Sequence, residues 1–148
     1  MDSKERTKRE KKAYDEGNVY EESYKLHNKF LHVFQCVNTK EGENYLQSTI
    51  NKYSKNNYVL DVGCYTGISS KKILSAGAKS VLGIDISEKG INEANSTSLH
   101  ANLKFKVMDA NNLNFNPQTF DCIVGRGILH HLEYNKVILD IHKILKPN

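Results

Sequence analysis

The stretch that most restricts how this chain can fold is residues 59–70, Val-Leu-Asp-Val-Gly-Cys-Tyr-Thr-Gly-Ile-Ser-Ser. An apolar strand reaches Asp61, passes through a tight turn carrying Gly63 and Gly67, and enters a helix. Glycine lacks the Cβ that would hold a ligand away, so such a junction brings bare backbone close to a nucleotide-like group. Asp61 sets a fixed negative charge just where a dinucleotide site would have to accept a pyrophosphate. The ligand expected here therefore carries positive charge.

The composition of the chain shifts near residues 55–57. From Tyr58 onward short apolar runs alternate with helical patterns. The spacing predicts strands at Tyr58–Val62, Ser80–Asp85, Leu103–Val107 and Phe120–Gly125. It predicts helices over about Ile68–Ala76, Glu88–Leu99 and Glu133–Leu145, the last with Val137, Ile138, Ile141, Ile144 and Leu145 facing inward. Ser87 suits an N-cap, and Gly77 suits a helix C-terminus. Alternation of this kind means βαβ units and a parallel sheet covered on both faces, so the fold class is a doubly wound α/β sheet. Residues 1–57 read instead as two or three helices capping the α/β domain of residues 58–148. Leu26, Phe30, Val33, Phe34 and Val37 give one apolar face. Tyr45, Leu46, Thr49, Ile50 and Tyr53 give another, with Asn38, Thr39, Lys40 and Gly42 separating the two.

In sheets of this class ligands sit at the carboxyl ends of the strands. Here four strand ends carry suitable groups: Asp61, Gly63 and Gly67 after the first, Asp85 after the second, Asp109 after the third, and Gly125 and Arg126 after the fourth. Acids at three successive strand ends are a far more specific signal than one glycine pattern. Taken singly, Asp85 reads equally as a cap, and Asp109, before Asn111 and Asn112, as a turn residue.

With these residues the chain resembles the class I S-adenosylmethionine (SAM) dependent methyltransferases, in particular a type 11/25-like methyltransferase domain. The first motif of that family reads Asp/Glu-x-Gly-x-Gly-x-Gly. Residues 120–132, Phe-Asp-Cys-Ile-Val-Gly-Arg-Gly-Ile-Leu-His-His-Leu, are similar to its fourth motif. The resemblance implies a Rossmann-like fold and SAM as cofactor. It implies that Asp61 and the Gly63 backbone hold the methionine amino group, with the turn through Cys64, Tyr65 and Gly67 beneath the cofactor. Asp85 would accept the ribose hydroxyls, and Ile86 would pack on the adenine. Asp109 and the backbone at Ala110 would frame the adenine edge, and the main chain at Arg126 would meet the methionine end. Tyr65 departs from the pattern, standing where the family most often has its middle glycine. The resemblance covers about residues 58–148, which is the cofactor-binding half. The family's strand order, 3-2-1-4-5-7-6, would stop at the fourth strand. The expectation is a C-terminally truncated domain that self-associates, or finds a partner, through an edge carrying Ile123 and Val124.

Other readings are narrowed by composition. The 148 residues, 39% hydrophobic, suit one domain with a modest core. No apolar run approaches the roughly 20 residues that cross a bilayer, and the first residues lack a signal-peptide core. Cys36, Cys64 and Cys122 are widely spaced, which argues against disulfides and zinc and fits a cytoplasmic protein. The basic cluster from Lys4 to Lys12 reads as a solvated helix end, and no basic stripe with aromatics follows it. Nucleic acid and membrane are thus not expected partners. Cys64 reads as a turn filler. His130 and His131, adjacent at a helix start, should point apart, which is poor geometry for a shared metal. The function expected is methyl transfer to an acceptor, most simply a small molecule. The alternative is a non-catalytic SAM- or nucleotide-binding module. An NAD-dependent dehydrogenase fits less well because of Asp61. If the acceptor needs deprotonation, the candidates are His130, His131, Tyr20 and Tyr24.

Overall fold

A computed structural model describes residues 3–16, 25, 26, 29 and 37–147. Tyr20, Tyr24, Cys36 and the apolar positions Phe30, Val33 and Phe34 lie outside the described residues. The elements are α1 (Ser3–Glu16), α2 (Val37–Ser54), β1 (Tyr58–Val62), α3 (Ile68–Ser75), β2 (Ser80–Asp85), α4 (Glu88–Ser96), β3 (Leu103–Val107), β4 (Cys122–Gly125) and α5 (Tyr134–Ile144). A single 3₁₀ turn, Leu129–His131, precedes α5. The strands form one parallel sheet in the order β3-β2-β1-β4. In its centre Leu60 pairs with Leu82 on one side and with Ile123 on the other. No described helix is long and apolar enough to cross a membrane.

Side chains alternate across a strand, and both faces of this sheet are buried. Leu60, Val62 and Ile84 point to one core with Phe120, Val137 and Ile144. Val59 and Val81 point to the other with Ile73, Leu103 and Val124. Asp61 shares the second face, since it alternates with Leu60 and Val62. It is therefore buried beneath α3, where Ser70 Oγ donates to its Oδ2 at 2.6 Å.

The turn into α3 depends on glycine. Gly67 has φ 76°, and a Cβ there would lie 2.4 Å from the Phe105 ring. Gly83 on β2 is under the same ring, with Phe105 Cδ1 2.7 Å and Cys64 Sγ 2.8 Å from its would-be Cβ. Phe105 thus reaches across from β3 into space that two glycines leave open. Ser87 caps α4 as expected, its Oγ accepting from the Gly90 N–H at 3.0 Å.

Several boundaries differ from the sequence reading, each for a local reason. β4 starts at Cys122, because Phe120 instead makes an isolated parallel bridge to Leu145 and its ring packs edge-on against Phe115. α4 stops before Leu99, which is fully exposed and has nothing to pack on. On α5, Val137, Ile141 and Ile144 share one face, whereas Ile138 lies about 100° round the helix and is 49% exposed. α2 runs unbroken through Gly42, and only its last turns meet the sheet. Ile50 packs on the core while Tyr45 and Tyr53 stay exposed. At the β4 edge, Val124 is buried and Ile123 packs on the first core. Among the described residues it is this strand's backbone, rather than its side chains, that lacks an outer partner.

Gly67→Ala should destabilise the fold by about 2–4 kcal/mol, because a left-handed backbone and a clash with Phe105 act together. Urea unfolding of the two proteins checks this; a loss below half a kcal/mol would show that Phe105 can move aside.

Candidate cofactor site

Above the carboxyl ends of the strands lies a cavity of about 160 Å³. After β2 and β3 it is lined by Asp85, Ile86, Met108, Asp109 and Ala110, and after β1 and β4 by Gly63, Tyr65, Arg126 and Ile128. Most of the strand-end residues singled out in the sequence therefore meet on one wall. Asp61, Cys64, Gly67 and His130 do not line it. Asp61 lies beneath the turn, Cys64 is buried at its base, and Gly67 starts α3.

Asp85 organises this wall. Its Oδ2 accepts from the Tyr65 N–H and its Oδ1 from the Ser87 N–H, both at 2.9 Å. One carboxylate thus joins the turn after β1 to the start of α4. The turn is further held by Gly63 and Cys64, whose N–H groups both donate to the Ile84 carbonyl at 2.8 and 3.0 Å. Tyr65 sits in this anchored turn with φ 45°, a conformation ordinarily left to glycine. Asp109 closes its own turn, accepting from Asn111 N–H at 2.8 Å and from the Asn112 side chain at 3.1 Å.

The roof of the cavity is α1, whose individual lining residues the sequence reading did not single out. Thr7, Glu10 and Tyr14 line the cavity. Their spacing of three and four residues is a legible helix face, but the surrounding lysines and arginines suggested a solvated terminus instead. The helix is docked at both ends. Arg6 donates to the His130 carbonyl, and Glu10 Oε1 meets His131 Nδ1 at 2.9 Å. Asp15 Oδ1 accepts from Ser87 Oγ at 2.6 Å and from the Lys89 N–H at 3.2 Å, at the positive end of α4. Lys11 pairs with Glu88. Tyr14 lies between Tyr65 and His131, with ring centroids 6.1 and 6.5 Å away. The rings of His130 and His131 lie together, 3.8 Å between centroids, rather than pointing apart, and α1 meets both residues, at the His130 carbonyl and the His131 ring. Of the two, His131 lines the cavity. On the far side Arg126 Nη2 contacts both carboxylate oxygens of Glu43, on α2, at 2.5 and 2.7 Å.

Burial governs the electrostatics. It raises the Asp85 carboxyl above its ordinary range, against the pull of the backbone N–H donors. Burial likewise raises Asp61, opposed by the hydroxyls of Ser70 and Ser69. The Cys64 thiol is pushed up by burial and by the nearby Asp61 and Asp85, which makes it inert as a nucleophile. No group of three or more His, Cys, Asp or Glu side chains able to hold a metal occurs among the described residues.

A raised carboxyl favours the protonated folded state, so the stability it contributes is present at low pH and lost as pH rises through its folded value. Asp61→Asn should therefore gain on the unaltered protein in urea-unfolding stability between about pH 4 and pH 7. A constant difference across that range would mean that Ser70 fully offsets the burial.

A family model described as a methyltransferase domain matches residues 59–148. The chain is 30% identical over 120 residues to the ubiquinone biosynthesis O-methyltransferase of Coxiella burnetii, covering 79% of this chain and 48% of that one. It is 36% identical over 93 residues to the ribosomal protein L11 methyltransferase of Aquifex aeolicus, covering 62% and 37%. The crystal structure of an S-adenosylmethionine dependent methyltransferase from Mesorhizobium loti matches with a TM-score of 0.64 at 22% identity, over 69% of this chain and 48% of that one, a likeness of fold. This chain spans less than half the length of these curated relatives. The parallel sheet, the Asp-x-Gly turn after β1 and the match over residues 59–148 lead to one conclusion: the chain belongs to the methyltransferase domain family of the class I SAM-dependent enzymes.

Proposed function

We propose that this chain binds SAM in the cavity above the strand ends and positions its methyl group for transfer to a small-molecule acceptor. The observation that carries this reading is Asp85. Its carboxylate stands on the cavity wall, and each oxygen, already fixed by one backbone N–H, keeps a lone pair for a ribose hydroxyl. Ile86 and Met108 offer apolar surface to an adenine, and Asp109 with Ala110 borders its edge. Asp61 acts from beneath the turn, adding negative potential at Gly63 rather than a direct contact.

The sulfonium supplies the reactivity of the transfer, so the protein's tasks are alignment and the exclusion of water. Within the helical cap proposed for residues 1–57, α1 serves as the lid. Of the two relatives described above, one is named for ubiquinone biosynthesis and the other for a ribosomal protein. A helix lying over the cavity favours the smaller acceptor. His131, oriented by Glu10 on the cavity wall, is the group best placed to take a proton from that acceptor. The outer edge of β4 is the proposed seat of self-association, which sedimentation velocity would show as a mass rising with concentration and a constant monomer would refute.

Calorimetric titration tests the central reading. SAM should bind with micromolar affinity, at least about tenfold more weakly to Asp85→Ala, and NAD should not bind. Binding of NAD, or an affinity for SAM indifferent to Asp85, would overturn it. Firm SAM binding without turnover of any acceptor would instead point to the non-catalytic alternative.

A further inference from the structure

Among the described residues lining the cavity, Arg126 is the one lysine or arginine, whereas Glu10, Asp85 and Asp109 supply negative charge. A ligand with an ammonium and a sulfonium suits those acids. The same ligand's carboxylate does not, and needs a cation. Resting on the cofactor reading above, we infer that the Arg126 side chain clamps the carboxylate of the cofactor's amino-acid end, and that Glu43 is a built-in competitor for that clamp.

The order of the strand ends sets the geometry. Asp85 ends β2, Gly63 follows β1, and Arg126 follows β4, whose Gly125 pairs with Val62. A ligand with its nucleoside at Asp85 thus lays its other end past the Gly63 turn, toward Arg126. The guanidinium holds a carboxylate in this structure, that of Glu43, through Nη2 at 2.5 and 2.7 Å. Guanidinium and carboxylate match in charge and shape, so the Glu43 contact shows which group the position accepts. The pair is also easily exchanged. Its side chains are 56% and 51% exposed, and ion pairs so exposed hold weakly. An incoming carboxylate that is also anchored through its nucleoside has the advantage over Glu43, which is tied only by its own helix. Exchange would free the Glu43 turn of α2 from Arg126 while Ile50 keeps the helix on the core, so cofactor binding and this one contact are coupled.

Two probes separate this clamp from the rest of the site: SAM, and decarboxylated SAM, which keeps the nucleoside, sulfonium and amine. Both would be titrated calorimetrically into the full chain and its variants, with thermal melting to verify folding. Glu43→Gln should tighten SAM by about two- to fivefold and leave decarboxylated SAM unchanged. Arg126→Gln should weaken SAM by about tenfold, again without effect on decarboxylated SAM, and Arg126→Lys should recover part of the loss. In the double variant the gain from Glu43→Gln should vanish, since its target is gone. If both variants leave the two affinities alone, or shift both equally, the clamp is refuted while the cofactor reading stands. If the unaltered chain binds neither probe, the cofactor reading fails and the clamp fails with it.

Discussion

The carboxylate of Asp85 binds two backbone N–H groups that belong to different loops, and the rest of the site is arranged around that bridge. Tyr65 could not otherwise sit cheaply in a left-handed conformation at the mouth of the turn. Ser87, fixed by the same carboxylate, is in turn free to use its hydroxyl twice, capping α4 and donating to Asp15. The chain of contacts Tyr65–Asp85–Ser87–Asp15 therefore connects the floor of the cavity to its roof. The cost is a charge partly withdrawn from water, visible in the raised carboxyl.

The roof is held by polar contacts instead of a core. α1 contributes Arg6, Glu10, Lys11 and Asp15, each meeting a group more than 70 positions away in the chain. Of these, the contacts of Arg6 and Lys11 are exposed, and exposed pairs are individually weak. A helix attached by several weak, separable contacts can lift without disturbing the sheet, which a helix buried by leucines could not do. This suits a cavity that must open to load a ligand and close to exclude water.

Much of this fold was legible from the residues alone. β1, β2 and β3 occupy the very residues marked in the sequence: β1 and β2, central and mostly buried, by short apolar runs, and the edge strand β3 by Leu103, Phe105 and Val107 alternating with lysines. The burial of Asp61 was also available from alternation with Leu60 and Val62, yet a motif-based reading placed it against the ligand. The start of β4 was misplaced because Phe120 is held by Leu145, a pairing across 25 positions that no local pattern reveals. The docking face of α1, though not the helical cap itself, escaped for the same reason: its partners, His130, His131, Ser87 and Glu88, are remote in sequence, and its basic charges masked the face at Thr7, Glu10 and Tyr14. Local periodicity reports which elements form; it does not report which distant polar groups they find.

Phe105 reaches over Gly67 and Gly83 from a third element, so the three positions behave as one inherited unit. A smaller residue at 105 would leave a void, while any side chain at 67 or 83 would evict the ring. Neither change is tolerable first, and only a joint exchange preserves the packing. Drift at these three sites should consequently be slow and correlated among close relatives of this chain, although none of the three lines the cavity.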